Sequence, residues 1–205
     1  TSLVESKSGE RGIFNRISAK EQAKKFGRRN ADHEFGCNPC SEIILRPYQF
    51  CNLTEVVIRE KDKFEDLKRK VMLATILGTA QATLTKFPYL RKIWQNNTEE
   101  ERLLGVSLTG IMDNELTNGR KHGLEKTLTA LREVAVETNK EWSAIFGIPQ
   151  STAITCVKPS GTVSQLVDSS SGIHPRHSSY YIRTVRGDNK DPLTNFMKDS
   201  GIPSE

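Results

Sequence analysis

The feature that most limits the fold is an alternation of short apolar runs with two long stretches of helical period. Asn52 to Ile58 alternates apolar and polar residues as a strand does. Lys61 to about Phe87 then carries Phe64, Leu67, Val71, Ala74 and Leu77 at three- and four-residue steps, one face of a helix, and Pro88 ends it. Thr98 to Glu101 has a capping-box pattern and predicts a short turn. Leu103 to Ile111, interrupted by Gly105 and Gly110, reads as a buried strand. Arg120 to Phe146 is the second long helix, lined by Leu124, Leu128, Leu131, Val134 and Ala135 and stopped by Gly147 and Pro149. Ala153 to Val157 is a third short apolar strand. Strand, helix, strand, helix, strand predicts an α/β protein with parallel strands, since parallel neighbours need long crossovers. Smaller elements are a loop from Arg11 to Arg16 and a helix from Ser18 to Phe26, capped by Ser18 with Glu21 three residues on. Further on come a turn at Pro159 to Gly161 leading into a short helix near Thr162, a strand from Ser179 to Arg186, and a final helix from Pro192 to Ser200.

A chain of 205 residues can bury one sizeable core. Its net charge of +5 fits the handling of phosphorylated small molecules at least as well as nucleic-acid binding. No run of eighteen apolar residues exists, so no membrane partner is expected, and the polar start shows no signal peptide. Four cysteines without a disulfide-framework spacing suggest a reducing cytoplasm. The chain does not begin with Met and stops just after a predicted helix, and is expected to be an internal piece of something larger.

The chemistry concentrates in Cys37 to Leu53, seventeen residues with three cysteines and one carboxylate. Asn38, Cys40 and Glu42 share one parity, so in an extended run they would point the same way. An amide can orient a hydroxyl, a thiol can exchange hydrogen, and a carboxylate can take a proton. Eleven residues after Cys40 comes Cys51, which a folded-back loop could bring near it. Other readings stand beside this one. Cys37 and Cys40 form a CxxC pair, but a structural zinc site wants four ligands, and only His33 offers itself nearby. A thioredoxin-like pair would open a helix, and Pro39 followed by Ser41 and Glu42 shows none. Cys156, among apolar neighbours, reads as a small buried hydrophobe. His174 beside Pro175 reads as a local hydrogen-bonding residue, and His33, His122 and His177 as surface.

Further on, Pro159, Ser160, Gly161, Thr162, Val163 and Ser164 place a glycine and three hydroxyls between a strand and a helix start. Unpaired amides there suit phosphate, although a plain helix cap has the same look and no Walker pattern is present.

The run Asn38-Pro39-Cys40-Ser41-Glu42-Ile43, with Cys51-Asn52-Leu53 after it, resembles the finger-loop signature of ribonucleotide reductase catalytic chains. It looks most similar to the monomeric, adenosylcobalamin-dependent ribonucleoside-triphosphate reductases. Lys158 to Leu166 resembles that family's phosphate-binding turn. Ser171-Gly172-Ile173-His174-Pro175-Arg176, followed by Tyr180 to Arg183, resembles the segment after it. The resemblance implies about half of a ten-stranded α/β barrel, residues 1–205 being part of one barrel domain with a central finger loop at about 37–51. It implies that Cys40 carries a thiyl radical, Glu42 deprotonates the ribose 3′ hydroxyl, Asn38 holds the substrate, and Cys51 is one of two reducing thiols. The partner thiol of Cys51 would lie upstream of this chain. The implied cofactor is adenosylcobalamin, bound mostly by parts outside this chain, and no metal site is implied. The implied partners are a ribonucleotide substrate and thioredoxin or a similar dithiol, with no nucleic acid and no membrane. Such a piece alone is expected to be inactive. Two alternatives keep part of this reading: the large subunit of a di-iron-dependent ribonucleoside-diphosphate reductase, and a zinc-stabilised nucleic-acid-binding module.

Overall fold

The computed structural model describes residues 2–7 and 12–204. After a first short helix α1 (Ser2–Glu5) comes α2 (Arg16–Lys24). Its cap is Asn15 rather than Ser18: the Asn15 Oδ1 accepts from the Ile17 and Ser18 amides at 3.0 and 3.1 Å. Of the loop expected before it, Arg11 lies outside the described residues, and residues 12–15 have no regular structure.

The finger is a small antiparallel hairpin of β1 (Gly36–Cys37) and β2 (Ile44–Leu45), with Gly36 opposite Leu45. The chain then runs through β3 (Leu53–Val57), α3 (Phe64–Gln81), α4 (Lys92–Glu101), β4 (Gly105–Thr109), α5 (Leu124–Ile145), α6 (Val163–Leu166) and α7 (Pro192–Asp199). β3 and β4 pair in parallel, from Leu53 opposite Gly105 to Val57 opposite Thr109. On the far edge of β4 the predicted third strand makes one parallel bridge, Val106 to Thr155. The mixed α/β order expected from the sequence is therefore present.

One face of this sheet meets α3 and α5. Val56, Val106 and Ile154 bury against Leu67 and Val71 of α3 and Leu131 and Ala135 of α5. Leu77, expected on the buried stripe of α3, is 63% exposed, and Thr75, Gly78 and Thr79 are buried instead. The reason is close approach: a Cβ on Gly78 would sit 3.2–3.3 Å from Leu104 and Thr54, so a small residue has to face the sheet there. The buried hydroxyls are satisfied within the helix, Thr75 donating to the Val71 carbonyl at 2.8 Å. Asn139 of α5 donates to Thr79 and Ser151 and accepts from the Ser151 amide, each at 3.0 Å. By strand alternation Leu53, Glu55, Gly105, Ser107 and Thr109 face the other way.

Two expectations need correction. Thr98 to Glu101 is the last turn of a ten-residue helix, α4, not a short turn. That charged stretch shows little apolar period; it is held by Trp94 packed against Tyr48 and Phe50, and it stops where Arg102 turns left-handed at φ 45°. Ser179 to Arg186 forms no strand, because no sheet edge lies beside it among the described residues. No closed sheet is present among the described residues. β3 has a free edge, flanked by the exposed Leu73 and Leu77 around a hollow of about 510 Å³. No helix among the described residues is long and apolar enough to cross a membrane.

Candidate active site

Residues 38–43 form the tip of the finger hairpin, and its geometry comes from its own sequence. The Asn38 Oδ1 accepts from the Ile43 amide at 3.0 Å, and the Ser41 amide donates to the Asn38 carbonyl at 2.9 Å. Ser41 turns the chain at φ 64°. Half-buried Cys37 donates its thiol to the Ser41 Oγ at 3.5 Å. The extended run assumed by the parity argument is thus a tight turn. The turn leaves Cys40 exposed at the tip and folds Glu42 inward. Asn38 spends its oxygen on the turn, and its amide group is left to act on Glu42.

The base of the finger is anchored by buried charge. Arg29 donates to both carboxylate oxygens of Glu101 at 2.9 Å, to Gln49 at 3.1 Å and to the Ile44 carbonyl at 2.8 Å. Gln49 donates in turn to Glu101 and accepts from the Arg46 amide. A bidentate pair of this kind, with its remaining donors used, is the form in which buried charge is tolerated.

Glu42 faces Lys158, the residue just before the glycine-containing turn. Lys158 Nζ lies 2.7 Å from Glu42 Oε1, and the Glu42 side chain is only 6% exposed. The contact is an ion pair rather than an aligned hydrogen bond, and among the described residues neither carboxylate oxygen has a partner in hydrogen-bond geometry. Burial pushes the Glu42 carboxyl up, but the Lys158 ammonium, Glu42's own backbone and the Asn38 amide together hold it below the ordinary carboxylate value. Lys158 is correspondingly raised, first by Glu42, with burial opposing, and then by the nearby Cys40 and Cys51. Cys51 and Cys156 join Glu42 in the wall of a hollow of about 300 Å³. Its far side carries Phe26, Arg28 and Arg132, with the Arg132 guanidinium 3.6 Å over the Phe26 ring. Burial, with Glu42 and Cys51 adding to it, pushes the Cys156 thiol up to about 12. Cys156 is therefore a largely buried, neutral thiol that shares this wall with Glu42 and Cys51.

The turn at 159–164 is fixed from below. Ser160 and Ser164 are buried; the Ser164 amide donates to Ser160 Oγ at 3.1 Å and its hydroxyl to the Ser160 carbonyl at 2.6 Å. Ser171 also donates to that carbonyl. Gly172, at φ 55°, packs where a Cβ would be 3.0 Å from the Lys158 carbonyl, and its amide donates to Thr109 Oγ1 at 2.9 Å. These contacts leave Gly161, Thr162 and Val163 on the exposed rim, and their amides make no hydrogen bond to another described residue. Pro159 is exposed beside them. His174 is exposed, and its backbone amide donates to the Ser171 carbonyl at 2.8 Å. Arg176 joins Asp113 and Asp168, at 3.3 and 2.7 Å, and Tyr181 donates to Gln165 at 3.1 Å. No group of three or more His, Cys, Asp or Glu among the described residues could hold a metal ion.

The structure thus gathers Asn38, Glu42 and Cys51 around Lys158, with Cys40 at the finger tip close enough to act on its charge. Lys158 itself was missed as a participant. The available signal was its place between an apolar run and the turn, where a lone cation has no helix face to solvate it.

No family model matches the chain. A curated adenosylcobalamin-dependent ribonucleoside-triphosphate reductase from Lactobacillus gasseri is 30% identical over 231 aligned positions, covering 97% of this chain and 30% of that protein. Among solved structures, a B12-dependent (class II) ribonucleotide reductase matches with a TM-score of 0.55 and 25% identity, over 68% of this chain and 22% of that one. The alpha subunit of the class Id ribonucleotide reductase of Actinobacillus ureae has the same fold over 99% of this chain and 42% of that one, with a TM-score of 0.58 at 17% identity. The chain belongs to the ribonucleotide reductase catalytic-chain family and spans about 30% of the length of the curated relatives it matches.

Proposed function

We propose that this chain is the part of a ribonucleotide reductase that carries the reacting thiol, the base and the substrate-phosphate turn, and that the whole protein converts ribonucleoside triphosphates to 2′-deoxyribonucleotides. The observation that carries this reading is the convergence of Asn38, Glu42, Cys51 and Cys40 on Lys158, beside the turn at 159–164. In the proposed reaction the Cys40 sulfur, as a thiyl radical, takes the 3′ hydrogen, which leaves the unpaired electron on the sugar. Glu42, held ionised and shielded from water, accepts the 3′ hydroxyl proton. The 2′ hydroxyl departs as water. Two electrons and two protons, one for that water and one for the 2′ carbon, come from Cys51 and a second thiol outside this chain, which end as a disulfide. Cys40 then returns its hydrogen to the 3′ carbon and Glu42 its proton to the 3′ oxygen. Asn38 orients the sugar with the amide group that the turn leaves unused. The turn of Pro159, Ser160, Gly161, Thr162, Val163 and Ser164 holds the phosphates through the rim amides of Gly161, Thr162 and Val163.

The relatives are named for adenosylcobalamin, and the described residues fit such a group at one point: the Cys40 thiol is exposed, so a bulky molecule can reach it. When bound, that cofactor would supply the one-electron oxidation of a thiol. The rest of the reading includes a ten-stranded barrel completed by further chain along the free edge of β3. It also includes re-reduction of the disulfide by thioredoxin or a similar dithiol, and inactivity of this piece alone. The test is deoxyribonucleotide formation by the full-length protein, with Glu42→Gln expected to lose it while still binding nucleotide. A Glu42→Gln enzyme with full turnover would overturn the assignment of the base.

A further inference from the structure

A base should not be locked to a cation when its proton arrives. Among the described residues Glu42 has one cationic neighbour at contact distance, Lys158. The other groups facing the pair are the thiols of Cys40, Cys51 and Cys156 and the Asn38 amide, with Arg28 and Arg132 across the hollow. The main chain of Lys158 is pinned: its amide donates to Ser107 Oγ at 2.9 Å, and Gly172 packs on its carbonyl. Its side chain is 28% exposed and ends in an ammonium that meets Glu42 without hydrogen-bond alignment. Of the residues that follow, Pro159, Gly161, Thr162 and Val163 lie on the exposed rim, and the amides of the last three make no hydrogen bond to another described residue. A lysine with a fixed root and a mobile head, rooted at that rim, can reach either the carboxylate or an anion seated on the rim.

We propose that Lys158 is a shared cation: it pairs with Glu42 when the turn at 159–164 is empty and turns to the phosphate of a bound nucleotide when it is full, so that substrate occupancy releases the base. Lysine suits this part because its charge is compact and its stem flexible, so it exchanges one oxyanion for another without a fixed fork geometry. With the cation withdrawn, the buried carboxylate gains proton affinity at the moment the 3′ hydroxyl is in place. Lys158 acts here through Glu42 and is a positioning residue. The proposal rests on the reading of Glu42 as the base.

The test uses the full-length enzyme and two pH profiles. The profile of kcat/KM reports the free enzyme and that of kcat the occupied one. In the parent the acid limb should lie higher in kcat than in kcat/KM by about one pH unit or more, the size of a nearby opposite charge. In Lys158→Met the kcat/KM limb should rise to meet the other, and Lys158→Arg should restore part of the separation. Coincident limbs in the parent, which needs no variant, would overturn the proposal; so would a Lys158→Met enzyme that keeps the parent's separation. Failure of the base reading is distinguishable, because the acid limb would then persist in Glu42→Gln.

Discussion

Glu42 and Lys158 show how a single contact sets the chemistry available at the finger. A carboxylate this shielded would ordinarily hold its proton; the ammonium 2.7 Å away keeps it ionised. The thiols then divide by position. Cys40, exposed, can meet an outside oxidant, whereas Cys51 lies in the wall of the hollow beside Glu42. Cys51→Ser should therefore still allow the first radical step at the sugar but fail in repeated turnover, giving substrate decomposition and base release; normal turnover would move the reducing role elsewhere. Gly161 offers a clean probe of the turn. Its φ is ordinary and a Cβ there meets nothing within 4 Å, so Gly161→Val should fold as the parent does in thermal unfolding. The added side chain should obstruct phosphate at the rim and weaken nucleotide binding at least tenfold, since hydrogen bonds to charged groups contribute about 1.5–3 kcal/mol each. Binding equal to the parent's would reduce the turn to a helix cap. The residue types of the set were legible in the sequence. Lys158 and Cys156 as its neighbours were not, because they reach Glu42 only through folding across more than a hundred residues.

At the scale of elements, the finger is a hairpin too small to stand alone, and its base supplies the missing stability. Arg29 joins the segment after α2 to β2 through the Ile44 carbonyl and to the C-terminal end of α4 through Glu101. Glu101 is 2% exposed, so removing its partner leaves a buried charge unpaired. Arg29→Met should cost about 3–5 kcal/mol in urea unfolding. The damage should be heaviest at the finger, visible as faster alkylation of half-buried Cys37. A loss under about 1 kcal/mol would show that the network is dispensable. Here the sequence was informative where periodicity was strong and silent where charge was dense. α3 and α5 were legible as long amphipathic stretches, whereas α4, a run of Asn, Thr and Glu around a single Trp, hid both its helix and the partner of Arg29.

For the whole molecule, the open parallel sheet with its exposed Leu73 and Leu77 fits a chain that covers about 30% of its relatives' length. The strand rhythm was readable from the sequence because crossovers force long helices between parallel strands. Half of a closed barrel was expected from the family resemblance rather than from the strand rhythm, and no closed sheet is present among the described residues. The Glu42–Lys158 pair also ties the fold to pH. Glu42 is depressed in the folded state, so its contribution is present above its unfolded value, near 4.5, and is lost as pH falls through the lower folded value. The melting temperature of the parent should fall more steeply below about pH 4.5 than that of Glu42→Gln. Parallel curves would mean that the pair does not contribute. The central claim is that Cys40 carries the reacting sulfur of a ribonucleotide reductase. Its most direct test is deoxyribonucleotide formation by full-length Cys40→Ser with adenosylcobalamin, ribonucleoside triphosphate and an excess of a strong external dithiol. The account predicts no product, since a hydroxyl cannot replace a thiol as hydrogen-atom carrier; measurable deoxyribonucleotide from that variant would contradict it.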